Sequence, residues 1–295
     1  RGPLAHHRTE RRPALLRGQP LDAAAISDAS LVVYNGGGYD QFVDDILGAT
    51  GDKPAVVEAF ALFESGAYSD LHAGHDHATR TAPTTPSRAT RRQPFPRTTR
   101  TRAVRCPTRR RALARGHDHG GINEHVWYDL ATADASRTPS PSSSPNSTPT
   151  ARRLRANAAG FHENLHYVAD VVDKLADTHG DAPVAQTETI GHYLVSAATL
   201  DDITPPDFTN AIENGTDPSP AAIAATRQLL VDKQVRVLIY NPQTEDRISR
   251  EMRTAAESSG VPVVEVFETL PEDVDYIQWQ ARTAETLAAA LETAS

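Results

Sequence analysis

The chain has 295 residues, a formal net charge of −8 and a single cysteine, Cys106. That length fits two ordinary domains or one large one, and the acidic balance argues against a nucleic-acid binder overall. One cysteine excludes both an internal disulfide framework and a cysteine-based zinc site.

The charge is unevenly spread. Residues 79–116 hold twelve arginines and no acid, residues 1–20 five arginines and one acid, and residues 136–154 three arginines and no acid. The other 218 residues carry 10 bases and 37 acids, so two compositions alternate and only the acidic one reads as folded. No apolar run approaches the roughly 18–20 residues that span a bilayer. The chain opens on RGPLAHHRTERR, which reads as a start in mid-domain, so the lack of a signal peptide is uninformative.

In chain order, Asp22 caps a short helix through Ile26. SLVVY, residues 30–34, reads as a short buried strand, Asn35 and Gly36–Gly38 as the turn at its carboxyl end, and Tyr39–Leu47 as a helix with Phe42, Val43, Ile46 and Leu47 on one face. Strand, glycine turn, helix is the α/β unit. GGG lacks the spacing and lysine of a P-loop, so it is read as a tight turn. PAVVEAF, residues 54–60, reads as a second strand, and LHAGHDH opens a histidine-rich loop with His72, His75 and His77.

The arginine-rich tract 79–116 has no apolar period and lacks the aromatic interleaving of a single-strand binder. GHDHGGINEHVWYDL, residues 116–130, then packs three histidines into a few positions. His117 and His119 read as metal ligands on a flexible, solvated loop. His125 sits beside bulky apolar residues that can fix its ring, as a metal ligand needs, with a core histidine beside a surface turn as the alternative. A helix starts near Asp129 and stops at Ser136, where a Pro/Ser linker begins.

Residues 156–180 read as a long helix with Phe161, Leu165, Val168, Val172 and Leu175 at helical spacing. It would exceed about 30 Å, enough to bridge two lobes. His162 and His166 form an i, i+4 pair on it. Without an HExxH glutamate they are read as a solvated face. The last third is regular. PVAQ is a short apolar stretch, and Ile190, Tyr193, Leu194 and Ala197 make an apolar face. DITPPDF is a Pro-stiffened loop. A helix follows, started by Asp217 or Ser219 with Pro220 in its first turn. VRVLIYNPQ is a buried parallel-type strand. Then come a helix stopped at Gly260, a strand in VPVVEVFETLPE and a closing helix. Alternating strand and helix implies parallel α/β architecture.

Three potential ligands fall in comparable places. His125 precedes a helix, His192 follows a short strand and Glu268 follows another. Carboxyl ends of parallel strands face a common crevice. Two imidazoles and a carboxylate suit a borderline divalent ion, zinc or manganese, although a closed site needs a fourth ligand.

LVVYNGGGYDQFVDDIL, NEHVWYDLATADA, the RANAAGF helix, TETIGHYL, YNPQTED and VFETLPEDVDYIQW together resemble the zinc/manganese ABC-transporter solute-binding proteins (cluster A-I, solute-binding family 9). The resemblance covers most of residues 21–77 and 116–295. It implies two parallel-sheet α/β lobes joined by one long helix, with a metal in the cleft between them. The expected division is 1–155, 156–180 and 181–295. By position it makes His125, His192 and Glu268 ligands for zinc, with manganese the second candidate. It implies an extracytoplasmic, monomeric, non-enzymatic component that docks on an ABC permease in the membrane and does not bind nucleic acid. His72, His75, His77, His117 and His119 would form an accessory metal-collecting loop, with a plain solvated loop as the alternative.

The family's first ligand, a histidine in a DPHxxE motif before the DAAAI helix, is missing, and His6 and His7 lie about seven residues too far upstream. RPALLRGQP, reverse-translated with GC-rich codons and read one base over, can give DPHSFEGNP. SRTPSPSSSPNSTPTARR can give an amphipathic acidic helix in the same way. The blocks 1–20, 79–116 and 136–154 are therefore read as frame-slipped family sequence, which leaves the first lobe incomplete. Two rival functions stand beside this one. A metallohydrolase would use the same ligands with Glu124 as base, and a salt-sensitive nucleic-acid binder would use residues 79–116.

Overall fold

The computed structural model describes residues 20–51, 54–66, 122–137 and 149–294. The chain builds two parallel sheets joined through one long helix. The arginine-rich tract, Cys106 and the loop histidines His72, His75, His77, His117 and His119 lie outside the described residues.

The first sheet pairs β1 (Leu31–Tyr34) with β2 (Ala55–Glu58) in parallel, Leu31 opposite Ala55 and Tyr34 opposite Glu58. Helix α1 (Pro20–Ser27) precedes β1, and α2 (Gln41–Ala49) crosses over to β2. The first helix begins at Pro20, two residues before the expected cap at Asp22; proline suits a first helical turn because the N–H it lacks has no partner there. β1 is not the buried strand its composition suggested: Leu31 and Val33 are more than half exposed. β2 ends early because Ala59 starts α3 (Ala59–Glu64), whose Phe60 amide donates to the Asn35 carbonyl at 2.8 Å.

After a single 3-10 turn over Val126–Tyr128, α4 runs Leu130–Ser136 with Asp129 as its cap, accepting from the Thr132 amide at 2.8 Å. The long helix α5 spans Pro149–His179, 31 residues and about 46 Å at 1.5 Å per residue. It begins seven residues before the expected start at 156. Arginine is a good helix former, and exposed Arg152 and Arg153 need no packing partner to remain helical. Leu165, Val168, Val172 and Leu175 are buried along one stripe.

The second sheet has the order β4 (Asp201–Asp202), β3 (Pro183–Gln186), β5 (Val237–Tyr240), β6 (Val263–Glu265), all parallel. All four residues of β5 are buried, as a strand covered on both faces requires. Val237 and Ile239 point into one core with Val184, Val264, Trp279, Leu287, and Val172 and Leu175 of α5. Leu238 points into the other with Phe208, Leu230, Ile248 and Met252. Helices α6 (His192–Ala197) and α10 (Tyr276–Thr293) join α5 on the first side, and α7 (Pro206–Glu213), α8 (Pro220–Val231) and α9 (Arg247–Ser259) cover the second.

Ser219 and Pro220 open α8 and Gly260 closes α9 at φ +74°, as their sequence signals imply, and Asp246, which the sequence reading did not single out, opens α9. Two expectations fail. The Pro-stiffened loop is partly helix, since Pro206 is the first residue of α7. The face of α6 is Leu194, Val195 and Ala198, with Ala197 exposed. Ile190 lies in a 3-10 turn over Thr189–Gly191, and its tighter winding shifts the apolar phase. Among the described residues no helix is long and apolar enough to cross a membrane.

Candidate metal centre

The turn after β1 sets one wall of the cleft. Gly36, Gly37 and Gly38 all have positive φ, +76°, +64° and +87°, a region that glycine enters without steric cost. A Cβ on Gly36 would lie 2.2 Å from the Glu58 carboxylate, and one on Gly37 would lie 2.6 Å from the Phe60 ring. Asp40 closes the turn by accepting from the amides of Asn35 at 3.0 Å and Gly36 at 2.7 Å. Burial raises the Asp40 pKa and these donors oppose the rise. The turn thereby aims Tyr39 across the cleft.

His125 is anchored from two sides. Asn35 Nδ2 donates to the Glu124 carbonyl at 2.9 Å. Asn123 Oδ1 accepts from the His125 amide at 2.8 Å and stands 2.8 Å from its Nδ1. An acceptor at Nδ1 places the neutral ring's proton there and leaves the Nε2 lone pair for a cation. Burial, and then the charge of His192, push the His125 pKa down to about 4, so the ring is neutral at physiological pH. The rings of Trp127 and Tyr39 pack on it at 5.1 and 6.1 Å.

Glu268 follows β6 on the facing wall. Its Oε2 accepts from the Tyr39 hydroxyl at 2.9 Å and its Oε1 from Asn241 Nδ2 at 2.8 Å. The loop after β5 holds it: Gln243 Oε1 accepts from the Glu268 amide at 2.6 Å, and the buried Asn241 also donates to Glu188 at 2.8 Å. His192 is the first residue of α6 and is exposed, its ring edge-on to Tyr193 at 5.0 Å. Asn123 binds Thr189 just before it, its Nδ2 donating to the Thr189 carbonyl at 2.9 Å, while the Tyr193 hydroxyl donates to the Asn123 carbonyl at 2.6 Å.

Of the three expected residues, two meet in the structure and the third stands apart. His125 and Glu268 meet through Tyr39, and His192 is close enough for its charge to act on His125. They do not form a closed cage: among the described residues no three His, Cys, Asp or Glu side chains stand close enough to share an ion. Tyr39 occupies the space between His125 and Glu268. Burial, and then the charge of Glu268, raise its pKa far above the ordinary tyrosine value, so it is a neutral donor. Tyr39, Asn123 and Asn241 are the residues that the sequence reading missed. Each stands inside a motif it had singled out, YNGGGYD, NEHVWYD and YNPQTED.

The cleft is acidic. Burial, and then Glu213, Glu268 and Asp40, push the Glu124 pKa up to about 7. Burial also raises the pKa of Glu213 on α7, with Glu188 adding to the effect. Carboxylates crowded together favour a cation among them. The walls are pinned together by Tyr128, buried in the second lobe's core, whose hydroxyl donates to the Phe267 carbonyl at 3.0 Å and accepts from its amide at 3.2 Å. The Tyr276 hydroxyl donates to the Trp127 carbonyl at 2.7 Å.

A family model described as ZnuA, zinc-uptake complex component A periplasmic, matches residues 9–290. No curated protein matches the chain in sequence. Three solved structures share the fold. The manganese complex of the solute-binding protein FpvC from Pseudomonas aeruginosa is 16% identical, with 98% of this chain and 89% of that one covered and a TM-score of 0.59. The periplasmic zinc-binding protein TroA from Treponema pallidum is 12% identical, with 95% and 87% covered and a TM-score of 0.61. The laminin-binding protein Lmb from Streptococcus agalactiae, described as an adhesin with metal-transporting activity, is 15% identical, with 96% and 88% covered and a TM-score of 0.58.

Proposed function

The chain belongs to the ZnuA family of periplasmic zinc-uptake components, and on that premise we propose that it binds a divalent ion outside the cytoplasm and delivers it to an ABC permease in the membrane. Zinc is the first candidate cargo and manganese the second, because two imidazoles with a carboxylate suit both. The family is a transport family, and no chemical step on a substrate is assigned. Residues 1–155 and 181–295 are the two lobes, and 156–180 is the linking part of the long helix. We take the binder to be monomeric.

One observation carries this reading: His125 and Glu268 reach the same phenol from opposite walls. His125 offers Nε2, Glu268 supplies charge, and His192 approaches from the start of α6. Entry of the ion requires Tyr39 to release Glu268 Oε2, an exchange of a charge-assisted hydrogen bond for a direct ionic contact. The histidine-rich segments, with His72, His75, His77, His117 and His119, are proposed as an accessory collecting loop.

The test is competitive zinc and manganese titration read by Trp127 fluorescence, since that indole stacks 4.5 Å from Tyr39 and 5.1 Å from His125. His125→Ala, His192→Ala and Glu268→Ala should each weaken binding by at least the roughly 10–100-fold that losing an outer-shell partner costs. Wild-type affinity in all three would overturn the assignment. A version carrying the restored DPH motif should bind more tightly than this chain.

A further inference from the structure

A second group of metal-binding side chains lies on α5, on residues that the cleft does not use. His162 and His166 stand one turn apart. His162 Nδ1 lies 2.9 Å from Asp134 Oδ1, and Asp134, on α4, is fully buried. Arg137 also holds that carboxylate, its Nε donating to Oδ1 and its Nη2 to Oδ2 at 3.2 Å. A carboxylate facing Nδ1 fixes the proton on that nitrogen and turns the Nε2 lone pair outward, the arrangement that orients metal-binding histidines. His166 Nε2 faces His162 Nε2 at 3.3 Å, with the rings 73° apart.

That separation allows a weak N–H···N contact between the two rings. It equals the edge, about 3.3 Å, of a tetrahedron whose nitrogen corners lie about 2.0–2.1 Å from zinc. The expected solvated face is therefore only half true: the His162 side chain is 28% exposed and is held against a buried acid. Solvent still reaches the pair.

We propose that His162 and His166 form a two-imidazole site for a borderline divalent cation, zinc, nickel or copper, with Asp134 as a positioning residue that orients His162. Arg137 balances the charge of Asp134, so affinity comes from the two imidazoles. Among the described residues no third His, Cys, Asp or Glu side chain joins them, and water completes the shell. A bound ion would fasten α4 to α5 through the link from Asp134 to His162. The site does not depend on the cleft being a metal centre.

The experiment uses the full chain carrying His125→Ala and His192→Ala, titrated with zinc chloride. Diethylpyrocarbonate modification is read at each histidine by peptide mass spectrometry, which separates this pair from the other histidines. Zinc should slow modification of His162 and His166 together, and adding His166→Ala should remove the protection of His162. Adding Asp134→Asn should raise the zinc concentration for half protection about tenfold, the low end of outer-shell effects. Circular dichroism of each variant checks that it is folded. Zinc-independent modification of the pair would overturn the proposal, as would protection of His162 that survives His166→Ala.

Discussion

A side-chain amide at position 123 fixes the tautomer of one proposed ligand and ties that ligand's loop to the segment leading to another. Asn123→Ala should therefore weaken zinc binding by about 10–100-fold through loss of orientation, with the imidazoles still present, as competition against a chromophoric chelator would measure. An unchanged affinity would mean that Asn123 serves the fold alone. The acidity of His125 gives a second expectation. Its pKa is depressed to about 4, below the value of about 6.5 for an unfolded histidine. Between pH 6.5 and 4 the unfolded chain binds this proton and the folded chain does not, so the contribution is fully present above pH 6.5 and is lost as pH falls towards 4. Imidazole NMR of the ion-free protein should place the His125 midpoint near 4, and a midpoint near 6.5 would refute its burial. His125, His192 and Glu268 stand out in the sequence because few side chains bind metals. Tyr39 was not, because its partner Glu268 lies 229 positions away and a phenol announces no particular chemistry.

Elements whose signals are local were read correctly. Ser219–Pro220 and Gly260 each mark a helix boundary by their own backbone chemistry. The β4 strand carried no signal: it is two exposed aspartates paired to β3 through the backbone, with no apolar side chain to betray it. The start of α5 was missed because arginine and proline suggest a linker by composition while both tolerate a helical first turn. The glycine turn was read as a tight turn, but the reason it must be glycine lies in tertiary contact. Gly37→Ala would place a methyl 2.6 Å from the Phe60 ring at φ +64°. Overpacking and backbone strain together should cost about 1–3 kcal/mol, read as a lower urea midpoint. On α5, Leu165 is fully buried, and Leu165→Ala should cost about 2–5 kcal/mol in the same assay. If Leu165→Ala were neutral, the buried Leu165 side chain would not contribute to the packing of α5.

At the scale of the whole molecule, the two sheets are unequally supported. Every residue of β5 is buried between two cores, while β1 shows Leu31 and Val33 to solvent and β2 shows Val56. The three arginine-rich blocks, which we read as frame-slipped, all fall within the first 155 residues and show no apolar period. Amide exchange follows local burial, so β1 and β2 should exchange much faster than β5. A cation gripped from both walls changes the comparison. Binding at about 100 times the dissociation constant stabilises the closed form by about 2.7 kcal/mol, close to a hundredfold in exchange for any amide that opens only after the ion leaves. Zinc should slow β1 and β2 by up to that factor and leave β5 nearly unchanged wherever β5 already exchanges through global unfolding. Equal slowing in His125→Ala would assign the effect to other histidines, and no slowing in the parent chain would mean that the ion, if bound, does not join the lobes.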